Sequence, residues 1–229
     1  MKFNKKNKVF LILGILLLVV LFILIYMLTF PNYKKSLTKF DDSLNYSMKV
    51  ELKIGDNIKS YINSNIDNDK KTSINHFYAI MNDIDYGYKY FTYYDKNKYL
   101  SYKEQATQYI NTEIDEPEYL KLIKEINGVN LDKRKLKNKI FKYATYTGTI
   151  NYEKIAAILN IYKEYFGIDK NYIENKNYNV LSTVLHNGYL NKIVIDLSNS
   201  ITINEEKYKD ATLTIYFNNY GSTIVDEVE

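Results

Sequence analysis

The stretch from Val9 to Phe30, VFLILGILLLVVLFILIYMLTF, constrains this chain more than any other part of its sequence. It contains no charged residue and no proline. A helix of this length, rising ~1.5 Å per residue, would be roughly 33 Å long. Because the hydrocarbon core of a bilayer is ~30 Å thick, we expect a transmembrane helix here.

Basic residues indicate which side of the membrane the N-terminus occupies. Four lysines and no acidic residue precede the apolar stretch: Lys2, Lys5, Lys6 and Lys8. Lysine and arginine concentrate on the cytoplasmic side of membrane helices. We therefore predict that residues 1–30 form a cytoplasmic basic tail and a signal anchor, with residues 31–229 extracytoplasmic.

A cleaved signal peptide is the alternative interpretation of the same stretch. Its apolar core would be ~7–15 residues long and followed by small residues at the cleavage site. Here the stretch ends in Met27-Leu28-Thr29-Phe30-Pro31, which has no such site. The chain also has no cysteine that could carry a lipid. The sequence therefore favours an uncleaved single-pass anchor.

Composition limits what the outer part of the chain can bind. The net charge of +4 equals the charge of the four N-terminal lysines, so residues 31–229 are neutral overall. A neutral domain with a single arginine, Arg134, lacks the basic surface that nucleic acid requires. The lack of cysteine excludes disulfides and thiolate metal sites. The 25 tyrosines reflect either A/T-rich codon usage, which their even spread favours, or a tyrosine-lined binding surface.

The outer part of the chain shows strand periodicity followed by helical periodicity. From Leu44 to Ile54 apolar and polar residues alternate, as in a strand buried on one face. Two strand blocks enclose a centre that contains helices and one strand. The predicted elements are a strand block over 43–103, a helix over 117–127, a strand over 140–150, a helix over 152–166 and a strand block over 177–218.

Local signals mark the ends of these elements. Pro117 suits the first turn of a helix that Gly128 would end. Asn151 is a typical N-cap, and Asn187-Gly188 predicts a tight hairpin. The sequence thus predicts an α+β fold, in which an antiparallel sheet packs on one or two helices after the transmembrane helix.

The C-terminal third, NYNVLSTVLHNGYLNKIVIDLSNSITINEEKYKDATLTIYFNNYGSTI, resembles the closing strands of LolA/LppX-like bacterial lipoproteins. The resemblance covers about the last 50 residues, from Tyr178 onward, and the first strand block more loosely. It implies a strongly curved, half-barrel-like antiparallel sheet around helices, with a hollow that can hold lipid or acyl chains. This chain departs from the family in having a membrane helix where those proteins have a lipidated cysteine.

Residues with catalytic or metal-binding chemistry are sparse. The two histidines, His76 and His186, stand outside any known metal or catalytic motif, and carboxylate clusters such as Asp83/Asp85 fit turns and caps better than a catalytic pair. The basic run Lys133–Lys139 suits a solvated helix end or, less commonly, a membrane-surface or partner patch. We therefore predict no enzyme activity, no catalytic residue, no cofactor and no metal.

The excess of apolar strand faces over helices predicts a binding module for lipid or another apolar ligand. An envelope structural or protein-interaction domain without a small ligand is the alternative, and a hydrolase of envelope polymers is a third hypothesis. The expected partners are the membrane, an apolar ligand or an envelope protein, and not nucleic acid. The expected ligand-binding residues are Tyr46, Met48, Val50, Tyr86, Tyr88, Tyr90, Ile155, Leu159 and Tyr162.

Overall fold

The computed structural model describes residues 5–28, 32–81, 84–105, 108–129, 131, 133–135 and 143–225, and it is α+β. The helices are α1 (Lys5–Leu28), α2 (Tyr33–Asp41), α3 (Glu118–Asn127), α4 (Tyr152–Ile161) and α5 (Lys163–Phe166). The first strands are β1 (Asn45–Ile54), β2 (Ile58–Asp67), β3 (Thr72–Met81), β4 (Ile84–Asp95), β5 (Lys98–Gln105) and β6 (Gln108–Ile114). The others are β7 (Lys133–Lys135), β8 (Tyr143–Ile150), β9 (Tyr178–Leu185), β10 (Leu190–Asp196), β11 (Ile201–Ile203), β12 (Glu206–Tyr208) and β13 (Ala211–Asn218).

Helix α1 is long and apolar enough to cross a membrane, as the sequence predicts. Its described apolar side chains are almost all exposed, including Phe10 and Phe22 at 72% and 70%. A helix that is apolar on every side suits a lipid environment rather than an aqueous surface.

Eleven strands form one antiparallel sheet in the order β6-β5-β4-β3-β2-β1-β13-β10-β9-β8-β7. Strands β11 and β12 form a separate two-stranded sheet. The strands β1 to β6 follow one another as a meander, and the last strand, β13, joins this meander to the C-terminal strands by pairing with both β1 and β10.

The alternation in β1 divides its side chains between the two faces of the sheet. Tyr46, Met48, Val50, Leu52 and Ile54 are buried on one face, as the sequence predicts. Leu44, with which the predicted alternation begins, precedes the strand and is 65% exposed. The opposite side, which we call the open face, carries the half-buried or exposed Ser47, Lys49, Glu51 and Lys53. Burial of one face fixes the register, because a slip by one residue would exchange the two sets of side chains.

Helices α2 to α5 contribute to the core on the buried face of the sheet. Phe40 of α2 packs edge-on against Tyr46 of β1 and Phe217 of β13, with ring centroids 4.7 and 4.8 Å apart. The buried stripes of α3 and α4 include Leu122 and Leu159, both fully buried in the same apolar cluster. The helices thus supply the apolar cover that a one-sided antiparallel sheet requires.

Side-chain caps explain where two of these helices begin. The Oδ1 atom of Asn32 accepts a hydrogen bond from Lys35 N (2.8 Å) at the start of α2. Asn151 accepts from Lys154 N (3.2 Å) at the start of α4, as predicted. Each cap satisfies an amide that the helix itself leaves without a partner.

The sequence prediction was wrong about several elements. The outer chain begins with a helix, α2, rather than with a strand, so four helices rather than one or two join the core. The predicted helix 152–166 is divided at Tyr162 into α4 and α5, and β6 extends the sheet beyond residue 103. In the basic run, residues 133–135 pair with β8 as β7 instead of forming a helix end.

Some predicted features lie outside the described residues. These are the N-terminal Lys2, Phe30 and Pro31 at the end of the anchor, Asp83 of the carboxylate pair, residues 136–139 of the basic run and residues 140–142 of the strand predicted over 140–150.

We expect replacement of Leu213 by alanine to lower the free energy of unfolding by about 2–5 kcal/mol. Leu213 is fully buried in β13, where it pairs with Leu52 of β1 and Ile195 of β10. Urea denaturation of the full chain in detergent measures the change. The control Ile84→Ala removes a side chain that is 70% exposed, and we expect a change within about 0.5 kcal/mol. Equal losses in both variants would contradict the assignment of the core.

Candidate functional site

The predicted ligand-binding residues lie together between the sheet and its helices. Seven of the nine are at most 3% exposed, and they belong to one apolar cluster. They come from β1, from β4 and from α4 with its C-cap: Tyr46, Met48, Val50, Tyr90, Ile155, Leu159 and Tyr162. The structure therefore brings the predicted residues to one interface, which we call the sheet–helix core.

The remaining two predicted residues lie at the margin of the sheet–helix core. Tyr88 is half-buried, and Tyr86 is 49% exposed. Both rings contact Phe77 of β3, with centroid separations of 5.3 Å for Tyr88 and 5.6 Å for Tyr86. This end of β4 thus leads from the core to the protein surface.

Tyr165 of α5 is the central aromatic residue of this region, and sequence reasoning missed it. Its ring stacks on Tyr90 of β4 (5.7 Å, 16° between planes) and contacts Phe77 (5.4 Å). Its hydroxyl donates to Glu118 Oε1 of α3 (3.1 Å), because a carboxylate oxygen accepts hydrogen bonds. Tyr165 follows Tyr162 by three residues, a spacing that puts two side chains on the same face of a helix. This spacing could have identified Tyr165 from the sequence.

Four hydroxyl groups inside the sheet–helix core have no hydrogen-bond partner in the described part of the chain. They belong to Tyr33, Tyr46, Tyr162 and Ser182, and all four oxygens are inaccessible to solvent. A buried hydroxyl without a partner costs about 1–3 kcal/mol. Buried polar groups in native proteins are nearly always hydrogen-bonded, so a bound ligand or ordered water is the expected partner of these four hydroxyls.

The four hydroxyls are distributed over both halves of the sheet. Tyr46 lies on β1, while Tyr33 of α2 contacts Tyr146 of β8, with ring centroids 6.4 Å apart. Ser182 of β9 pairs with that same Tyr146 across the sheet. Polar atoms thus lie along the whole apolar interface rather than at one end of it.

Burial also determines how the tyrosines ionise. It raises the pKa of Tyr88 to about 12, and the negative charges of Glu164 and Glu118 add to the effect. Burial likewise raises the pKa values of Tyr46, Tyr90 and Tyr162 well above 10. These phenols remain protonated in the folded protein and can serve as hydrogen-bond donors.

The histidines and carboxylates do not form a metal site among the described residues. His76 is exposed on the open face, and His186 lies at the β9–β10 turn. The acidic cluster around residues 113–118 is used in pairing: Glu116 Oε1 bonds to Lys124 Nζ (2.7 Å), and Glu118 accepts from Tyr165.

We expect the domain to lose stability as the pH rises above about 10, the ordinary pKa of tyrosine. In the unfolded chain the phenols ionise there, whereas burial raises their folded-state pKa values, to about 12 for Tyr88. The stability that their burial contributes is therefore complete below pH 10 and is lost as the pH rises through the folded-state values. Tyrosinate absorbance and circular dichroism, followed together, should show cooperative ionisation and unfolding. Ionisation of all tyrosines near pH 10 in a folded protein would contradict the burial.

No protein-family model matches this chain, and the curated proteins give no significant relative. The resemblance of the C-terminal third to LolA/LppX-like lipoproteins stays a prediction.

Proposed function

We propose that this chain is a single-pass membrane protein whose residues 31–229 form an extracytoplasmic binding module. Its ligand is an apolar molecule with a polar group, such as a lipid, held as the resemblance to LolA/LppX-like proteins implies. The apolar exposed helix α1 supports the anchor, and the lysines before it support a cytoplasmic N-terminus.

The observation that carries this proposal is the set of four hydroxyls without partners in the sheet–helix core. A ligand with an acyl chain would contact the leucines and aromatic rings of the core. Its ester, hydroxyl or phosphate oxygens would accept hydrogen bonds from the phenols of Tyr46 and Tyr162. Binding would then recover the free energy that these buried groups otherwise cost.

Ligand uptake in this proposal requires the helices to separate from the sheet. The predicted binding residues of α4 are fully buried, so an acyl chain needs space that opens on binding. Helix α5 is the element suited to this movement, because it is four residues long and flanked by a break at Tyr162 and by Gly167 at φ +66°. A curved sheet would then surround the ligand on the other side.

A protein-interaction scaffold of the cell envelope is the second candidate function. The close packing of the sheet–helix core favours it, because seven predicted ligand residues already have protein neighbours. In that case the four hydroxyls would be satisfied by ordered water. Lipid retention distinguishes the two functions.

We expect the double variant Tyr46→Phe/Tyr162→Phe to lose bound lipid and to gain stability when delipidated. Each substitution removes a buried hydroxyl without a partner, so the free energy of unfolding should rise by about 1 kcal/mol per site. Mass spectrometry of lipid retained by the full chain after extensive detergent washing should show at least a threefold loss. Wild type and variant share α1, so lipid around the membrane helix cancels in the comparison.

The control for this prediction is Tyr220→Phe, which removes a hydroxyl that has a partner. Tyr220 Oη donates to the carbonyl oxygen of Leu190 (2.6 Å), so its loss should destabilise the protein by about 1 kcal/mol. Equal lipid retention in wild type and the double variant would exclude the proposed site. A double variant that is destabilised like the control would show that the hydroxyls have protein partners.

A further inference from the structure

The open face of the sheet has a chemistry unlike that of the sheet–helix core. It presents amides, hydroxyls and tyrosine rings from adjacent strands, and register places them in rows. One row runs Ser47, Asn65, Ile74, Phe91, Tyr102 across β1 to β5. The row crosses five strands that lie about 4.8 Å apart. At its β1 end, Thr223 Oγ1 of the C-terminal segment lies 3.1 Å from Ser47 Oγ.

Ser47 and Asn65, the first two residues of this row, line a cavity of about 460 Å³. Its lining is rich in amides and includes Ser47, Lys49, Asn63, Asn65, Tyr216 and Asn218. The volume lies within the ~300–1,000 Å³ of small-molecule sites. Asn63, Asn65 and Asn218 are exposed, and each amide offers both donors and an acceptor.

Hydrogen bonds orient the polar groups of this amide cavity. Ser47 Oγ donates to Asn65 Oδ1 (2.9 Å) and accepts from Asn219 Nδ2 (3.2 Å). The bond from Ser47 engages the side-chain oxygen of Asn65, so the NH₂ group of the same amide points away from Ser47. Groups held in this way lose less side-chain entropy when they bind a ligand.

A second, aromatic cavity of about 810 Å³ lies on the same row. Its lining includes Lys70, Thr72, Phe91, Tyr93, Tyr102 and Val225. Thr72 Oγ1 is inaccessible to solvent and has no hydrogen-bond partner in the described part of the chain. The aromatic wall of this cavity suits the apolar face of a ligand that also carries hydroxyl groups.

The charge of the amide cavity does not favour a polyanionic ligand. Lys49, the lysine of the amide cavity, is paired with Glu51 (Nζ–Oε2 2.5 Å), which Lys59 also approaches (3.5 Å). Burial of Glu51 opposes its ionisation, but the hydrogen bond from Lys49 and both positive charges outweigh burial and hold its pKa below the ordinary value. The negative charge of Glu51 therefore largely neutralises the positive charge of Lys49 in the amide cavity.

We propose that the open face binds a neutral saccharide chain across the amide and aromatic cavities. Sugar hydroxyls donate and accept hydrogen bonds, which the asparagine amides complement, and the apolar C–H face of a sugar ring packs on tyrosine or phenylalanine. This site lies on the opposite side of the sheet from the sheet–helix core and does not depend on lipid binding there.

The test uses the full chain in a detergent without a sugar headgroup, so that detergent cannot occupy the site. The protein is applied to an array of immobilised chitin, β-glucan, mannan and xylan oligosaccharides, with heparin and single-stranded DNA as polyanions. We expect retention on at least one neutral saccharide that persists in 0.5 M salt. Asn63→Ala/Asn65→Ala should weaken this binding at least tenfold.

The matched control is Asn160→Ala, which removes an exposed asparagine from α4 on the other side of the sheet. We expect it to bind like the wild type, and both variants to keep the wild-type melting temperature within a few degrees. Retention of no neutral saccharide, retention on polyanions alone, or equal loss in both variants would each overturn the proposal. Unchanged binding by Asn63→Ala/Asn65→Ala would also overturn it.

Discussion

The pairing of β1 with β13 is the interaction on which the rest of the structure depends. Along the chain, these are the first and the last strand of the large sheet, and they lie side by side within it. Their register pairs Ser47 with Asn218 and Ile54 with Ala211. Without this pair, the meander β1–β6 and the C-terminal strands would be separate sheets, each with an additional open edge. Because the contact is so distant in sequence, its loop-closure entropy must be offset by burial of the apolar faces on both strands.

Much of the fold was predictable where a local pattern and the tertiary environment agree. The alternation from Tyr46 to Ile54 indicated the correct face of β1. Asn187-Gly188 indicated the β9–β10 hairpin, where Gly188 has φ +90°, but four residues rather than two separate Leu185 from Leu190. Asn151 gave the start of α4. In each case the chemistry that determines the local structure lies within a few residues, so the sequence alone carries it.

The missed elements depend on partners distant in the chain. Helix α2 is only nine residues long. Its apolar residues Tyr33, Leu37 and Phe40 are buried because they pack against the sheet, and a local sequence pattern does not reveal that contact. Strand β7 is three basic residues long and is held by its pairing with β8. Local propensity does not specify either element. For the site, the pattern identified the buried face, but it could not identify hydroxyls without partners, because that property depends on every neighbour in the folded core.

The short connection between α1 and α2 limits how far the folded domain can lie from a membrane that α1 spans. Only a few residues separate Leu28 at the end of α1 from Tyr33 at the start of α2, and five residue steps span at most about 18 Å. If α1 spans the bilayer, the domain stays within this distance of the lipid surface. An apolar ligand could then pass between the bilayer and the sheet–helix core with little exposure to water, where its transfer would cost about 0.8 kcal/mol per CH₂ group. The proposed saccharide site on the open face would need no such proximity to lipid, because its amide and tyrosine groups would meet a hydroxylated ligand in the aqueous phase. Under the proposed function, the short tether would therefore suit the core to lipid exchange at the same membrane, while the open face would stay accessible to a saccharide chain.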